Sequence, residues 1–124
     1  MITLLEGFPD NVVAVRAEGQ VTAQDYDKVL IPAVETALTR SKRLRFYYEI
    51  GPGFTGMDLG AMLKDIGVGF GHLGQWERIA VVTDIDWIKH ATQLFGFLLP
   101  SKTEVFGIAQ AADANAWIAD ENPN

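Results

Sequence analysis

The stretch ERIAVVTDIDWI, residues 77–88, places a strand and a helix start back to back. Ile79 to Thr83 (IAVVT) is a short apolar run without polar alternation, the pattern of a strand covered on both faces. Thr83-Asp-Ile-Asp86 repeats a T-x-x-D spacing, in which a threonine side chain and an acid three residues on satisfy the free N–H groups of a helix's first turn. A helix opens there, and Pro100 closes it. Upstream, Leu44 to Ile50 reads as an aromatic-rich strand, and Leu59 to about Leu73 reads as a helix. Thr22-Ala-Gln-Asp25 gives the same cap one unit earlier, followed by Tyr26, Val29, Leu30, Ala33, Ala37 and Leu38 at helical spacing. Pro32 lies inside that helix, removes the hydrogen bond to the Lys28 carbonyl and is expected to bend the axis.

Ile2 to Leu5 and Val12 to Ala17 are apolar runs joined by Gly7-Phe-Pro-Asp-Asn11, the signature of an antiparallel pair. Glu104 to Ala109 reads as a last strand and Asp113 to Ala119 as a final short helix. The order β-β-α-β-α-β-α-β-α predicts an α/β fold on a mixed, mostly parallel five-stranded sheet. With no linker or internal repeat, residues 1–124 read as a single domain.

Hydrophobic residues make up 48% of the 124 and charged residues 21%, the balance of a globular chain. The net charge of -6 argues against nucleic acid as a partner, since phosphate binding releases counterions only to a basic surface. Arg40, Lys42, Arg43 and Arg45 form a local basic patch. It reads either as cations at a helix C-terminus or as a contact for an anionic head group. The absence of cysteine excludes disulfides, thiolate nucleophiles and cysteine–zinc sites. The opening MITLLEGFPDN lacks the basic start and apolar core of a signal peptide. No apolar run approaches the roughly 20 residues of a membrane span, so a cytoplasmic location is expected.

Gly51-Pro-Gly53-Phe-Thr-Gly56 fits the G-x-G-x-x-G spacing between a strand and a helix. Its context is wrong for a dinucleotide. The segment follows the third strand rather than the first of a βαβ unit, and Pro52 lacks one of the N–H donors that a pyrophosphate would need. Glu77 precedes the next strand, where a ribose-binding acid should follow it, and Asp84 comes too late. Eight of the chain's 12 glycines nevertheless fall between Gly51 and Gly74. Those inside the second helix each cost about 1 kcal/mol relative to alanine. This helix is held by packing, either as a close fit of helix on sheet or as a mobile flap over an apolar cleft.

On the third helix, Trp87, Ile88, Ala91, Leu94, Phe95, Phe97 and Leu98 cover more of the circumference than an ordinary apolar stripe. The surplus around Trp87, Leu94 and Phe97 packs on another helix or faces a ligand, a partner chain or a second copy. Ser41, Ser101, His72 and His90 form no nucleophile–base pair at recognisable spacing. Asp84 and Asp86 sit at the C-terminal end of a central strand, where they either cap a helix or serve as acid, base or cation ligand. No catalytic residue, metal ligand or cofactor is assigned.

Several stretches together resemble the bacterial SpoIIAA-like family, a branch of the STAS fold related to CRAL-TRIO lipid-binding domains. They are Pro9-Asp-Asn-Val12, Val29-Leu-Ile-Pro-Ala-Val34, Phe54-Thr-Gly56 with Ala61-Met62, Glu77 to Ile88, and Val105-Phe106 with Ala116-Trp117. The resemblance implies a mixed sheet wound as a β/α superhelix, in agreement with the element order. Anti-sigma factor antagonists of the wider group carry a phosphorylatable serine in Asp-Ser-Ser-Gly. The matching Gly56-Met-Asp-Leu-Gly60 holds no serine, although Asp58 matches the motif's aspartate. The lipid-binding relatives imply an apolar cleft covered by a moving helix.

The leading expectation is a non-catalytic module for a small apolar or lipid-like ligand, in a cleft lined by Met62, Ile66, Phe70, Trp87, Leu94 and Phe97, with peripheral membrane contact or self-association as accompaniments. The alternative is a regulatory module that docks a protein partner through a loop carrying Gly53, Phe54, Thr55 and Asp58.

Overall fold

A computed structural model describes residues 1–57, 76–98 and 102–120, without the side chains of residues 57 and 95–98. The expected second helix, with Met62, Ile66 and Phe70, lies outside the described residues, as do Asp58 of the expected partner loop and the side chain of Phe97. The N-terminal hairpin is β1 (Ile2–Leu4) and β2 (Val12–Val21), followed by α1 (Ala23–Asp25), a π-helical turn (Tyr26–Leu30) and α2 (Ile31–Arg40). Then come β3 (Leu44–Met57), β4 (Trp76–Thr83), α3 (Asp86–Leu98), β5 (Lys102–Phe106), a 3-10 turn (Ile108–Gln110) and α4 (Ala111–Ala119).

The five strands lie in the order β1-β2-β3-β4-β5. β1 is antiparallel to β2, and the other pairs are parallel. This is the α/β architecture expected from the strand–helix alternation. Side chains alternate between the two faces with the strand period. On one face Val13, Val15, Phe46, Tyr48, Ile79 and Val81 share a core with Tyr26, Leu30 and Val34 of the first helical stretch and Ile88 of α3. On the other, Ala14, Tyr47, Ala80 and Val82 pack on Ala114 and Ile118 of α4.

The first helical stretch begins with the predicted capping box. Asp25 N–H donates to Thr22 Oγ1 at 3.4 Å, and Thr22 N–H donates to Asp25 Oδ2 at 2.8 Å. Burial opposes ionisation of Asp25, but the Thr22 backbone and hydroxyl donors outweigh it and hold the carboxyl below its ordinary range. The expected consequence of Pro32 takes a specific form. The Ile31 N–H donates to the Tyr26 carbonyl, so the turn widens to the π pattern just before the residue that has no N–H to give.

Several boundaries differ from the expectations. β2 continues past Ala17 to Val21, and the last strand ends at Phe106, with Ile108 in the following 3-10 turn. The larger correction concerns Gly51 to Gly56, expected as a loop. It belongs to β3, which runs for 14 residues. The register passes from Ala17↔Ile50 to Gly19↔Phe54 to Gln20↔Gly56, so β3 absorbs its extra residues as bulges while staying paired to β2.

The bulge requires Gly19. Its φ of +59 is left-handed, and nothing lies within 4 Å of where a Cβ would stand. The penalty for a side chain is therefore purely conformational. Gly19→Ala is expected to lower stability by about 1 kcal/mol and Gly19→Asn by less. Equal urea midpoints for wild type and Gly19→Ala would show that the bulge tolerates any residue.

Candidate functional site

In open α/β sheets, ligands bind beyond the C-terminal strand ends where the strand order reverses. This sheet runs in chain order without reversal. Both described crossover segments therefore pack on the same face, as the shared core of Tyr26, Leu30 and Ile88 records. No crevice of the doubly wound kind opens between them. Asp84, at the end of β4, is engaged elsewhere: its Oδ1 accepts from the Ile108 N–H at 3.1 Å and so caps the 3-10 turn. Gly107 permits this approach, because a Cβ there would stand 3.1 Å from the same oxygen. Thr83, fully buried, accepts the Ile85 N–H through Oγ1 at 3.1 Å. Asp86 and His90 are exposed on α3, and among the described residues no three potential ligands gather to hold a metal ion.

The glycine fingerprint does not form a phosphate cradle. Its N–H groups belong to an extended, paired strand instead of converging at a helix N-terminus. Gly53 and Thr55 are exposed there and Phe54 is half-buried against the core. The expected partner loop is thus a strand segment. It projects beyond Ile50, whose partner Thr83 ends β4.

Of the expected cleft residues, the structure brings Trp87 and Leu94 to one face of α3, about two turns apart. They are 56% and 67% exposed, while Ile88, about 100° round the helix from Trp87, is buried in the core. Met62, Ile66, Phe70 and the Phe97 side chain fall outside what is described, and so does the cleft expected between the second and third helices.

A polar constellation that the sequence reading missed sits under α4. Arg45, placed in the surface basic patch by the sequence, is 4% exposed, and Arg78, its neighbour across the β3–β4 ladder, is 1% exposed. Arg45 Nη1 donates to the carbonyls of Ile118 at 2.9 Å and of Asp120, and Nη2 pairs with Glu77 at 2.8 Å. Arg78 Nη1 donates to the Trp117 carbonyl at 2.7 Å and lies 3.9 Å from Asp120. Its guanidinium carbon stands 5.1 Å from the centre of a Trp117 ring. Two cations thus donate to carbonyls of the last turn of α4, of which that of Trp117 also accepts the Asp120 N–H at 3.4 Å. The cations-at-a-helix-end reading holds for Arg45 in kind but on a different helix. Beside them, Tyr47 OH donates to Glu49 Oε1 at 3.2 Å and accepts from Asn115 Nδ2 at 3.3 Å, and Glu49 also pairs with Arg16. Burial, helped by Glu49, raises the Tyr47 phenol to about 12. These contacts hold α4 to the sheet.

The SpoIIAA-like family model matches residues 12–119, from the start of β2 to the end of α4. The chain belongs to the SpoIIAA-like family. It is also similar in structure to an uncharacterised protein of the DUF3478 family from Shewanella loihica PV-4 that has a SpoIIAA-like fold. The TM-score is 0.72 and the identity 24%, over 95% of this chain and 92% of that one. No curated protein matches.

In this SpoIIAA-like chain the buried Arg45 and Arg78 both lie inside the family match, so the arginine-held α4 is part of the matched region. The site where the resemblance would put a phosphorylatable serine begins at Gly56 and Met57, the last described residues of β3. Neither carries a hydroxyl. The nearest described hydroxyl is Thr55, exposed on the projecting strand.

Proposed function

We propose that this SpoIIAA-like chain is a non-catalytic binding module for a small apolar or lipid-like ligand, with peripheral membrane contact. The observation that carries this reading is the pairing of Trp87 and Leu94, two large apolar side chains left exposed on one face of α3. Large apolar groups held in water at a common face mark interaction surfaces. A tryptophan suits a boundary between an apolar phase and a wet one, because its ring is greasy and its N–H polar. Among the described residues no helix is long and apolar enough to cross a membrane, so the proposed contact is peripheral.

Native mass spectrometry of the purified chain, with solvent extraction of what it carries, tests the ligand directly. Fluorescence tests the face. Trp76 is buried and Trp117 half-buried, so Trp87 is the tryptophan best placed to shift to the blue on titration with phospholipid vesicles. The pair Trp87→Ser and Leu94→Ser is expected to weaken binding at least tenfold, the loss of about 1.4 kcal/mol. No bound ligand, no blue shift and no vesicle affinity would overturn the reading.

A second reading is supported by the strand segment Gly51–Met57, which projects past the end of β4 with Pro52, Gly53 and Thr55 exposed. There the module docks a regulatory protein through Gly53, Phe54, Thr55 and Asp58. Affinity capture from the native host, with Asp58→Lys as the control, separates the two. A partner retained by that variant argues against docking at this strand.

A further inference from the structure

We propose that the trough between α2 and the β1 edge of the sheet is a binding site for a single-chain amphiphile with an anionic head group, which sits on Lys28. The trough is an open groove of ≈ 520 Å³, a volume within the range of about 300–1,000 Å³ typical of small-molecule sites. On the helical side it is lined by Lys28, Val29, Ala33 and Arg40, and on the sheet side by Leu4 and Val13. Lys28 and Arg40 stand at opposite ends of the helical side, about 18 Å apart at 1.5 Å per residue. The span between them is largely apolar, with Val29 and Ala33 half-buried against the core and Leu4 exposed. An apolar span of that length, interrupted by Thr36, fits an extended hydrocarbon chain better than a compact polar ligand.

Charge fixes the head group and its end. Arg40 faces Asp10 at 4.0 Å, and Glu6, which also lines the trough, follows β1 toward that same end. Lys28 makes no ion pair among the described residues. The uncompensated positive charge is therefore at the Lys28 end, on a chain whose net charge is -6. A carboxylate or phosphate head gains a charge-assisted hydrogen bond there, and a cationic head is repelled. The trough is at the opposite edge of the sheet from α3, so it stands or falls independently of the Trp87 surface.

Titration calorimetry of the full chain with dodecanoate, below its micelle concentration, tests the site against dodecyltrimethylammonium of equal chain length. Saturable binding of one dodecanoate is expected, at least tenfold weaker in Lys28→Glu and lost in Ala33→Trp, which fills the trough. Trp87→Ser is expected to leave it unchanged. Circular dichroism checks that Ala33→Trp is folded, and Val29→Phe replaces it if it is not. No saturable binding, equal affinity for the cationic amphiphile, or an unaltered Lys28→Glu would overturn the proposal. So would loss of binding in Trp87→Ser, which would move the ligand to the α3 face. A concentration-dependent dimer in place of amphiphile binding would assign the trough to a second copy and overturn it too.

Discussion

Arg78→Ala is expected to lower the unfolding free energy by roughly 3–5 kcal/mol, a third or more of the 5–15 kcal/mol typical of a domain. The side chain is 1% exposed and does three things at once. It supplies the donor for the Trp117 carbonyl at 2.7 Å, faces Asp120 at 3.9 Å and lies against the Trp117 ring. Truncation removes a charge-assisted hydrogen bond from a carbonyl that keeps only the Asp120 N–H at 3.4 Å, worth about 1–3 kcal/mol, and leaves a cavity the length of an arginine, worth about 2–5 kcal/mol. The ion pair adds little, because Asp120 is partly exposed and its charge can turn to water. Arg78→Met separates the contributions. It restores most of the volume without the donor, and is expected to recover about half of the loss. Arg78→Lys is expected to recover less than Met, since an ammonium cannot lie flat against the indole while reaching the carbonyl. Urea unfolding at neutral pH reads all three. A loss below about 1 kcal/mol for Arg78→Ala would show that α4 is held by its apolar contacts alone.

The arginines also show why the fold was more legible than its polar interior. Alternation of strand and helix, the Thr22–Asp25 box and the IAVVT strand are local patterns, and local chemistry fixes them whatever surrounds them. Arg45 is flanked by Leu44 and Phe46, each facing the opposite side of the sheet. Its charge reads as surface because charged side chains are seldom fully buried. The signal was present in the alternation itself. A residue between two core positions of a strand covered on both faces must point into the second layer, and an arginine there needs acceptors such as helix-end carbonyls. That step depended on knowing that α4 covers this face.

The glycine segment was misread for a related reason. Gly51-Pro-Gly53 has the composition of a loop, and composition reports only intrinsic preference. Pairing with Gly19, Gln20 and Val21, remote in sequence, overrides it. Pro52 and the bulges fit a strand that has lost its β4 neighbour beyond Thr83, where missing donors and irregular register cost least. The α3 surface was legible because helical spacing counts apolar residues around a circumference. The excess at Trp87 and Leu94 is the excess that the structure leaves exposed.

Ile118→Ala is expected to cost about 2–4 kcal/mol, and more by local unfolding than by global change. Among the described residues α4 is the helix on its face of the sheet, and Ile118 is fully buried there with Ala114 against Tyr47, Ala80 and Val82. Its carbonyl also receives Arg45 Nη1 at 2.9 Å, so the same residue anchors the helix through side chain and backbone. Removing the side chain weakens the contact that keeps those carbonyls within reach of both guanidinium groups. Hydrogen exchange is then expected to rise across Ala111–Ala119 well before it rises in β3 and β4, where protection comes from ladders on both sides. The double variant Ile118→Ala with Arg78→Ala is expected to fall short of the sum of the single losses by at least 1 kcal/mol, since each acts through the same docked helix. Additive losses, with exchange in α4 rising no sooner than in the central strands, would mean that α4 opens only when the whole sheet does.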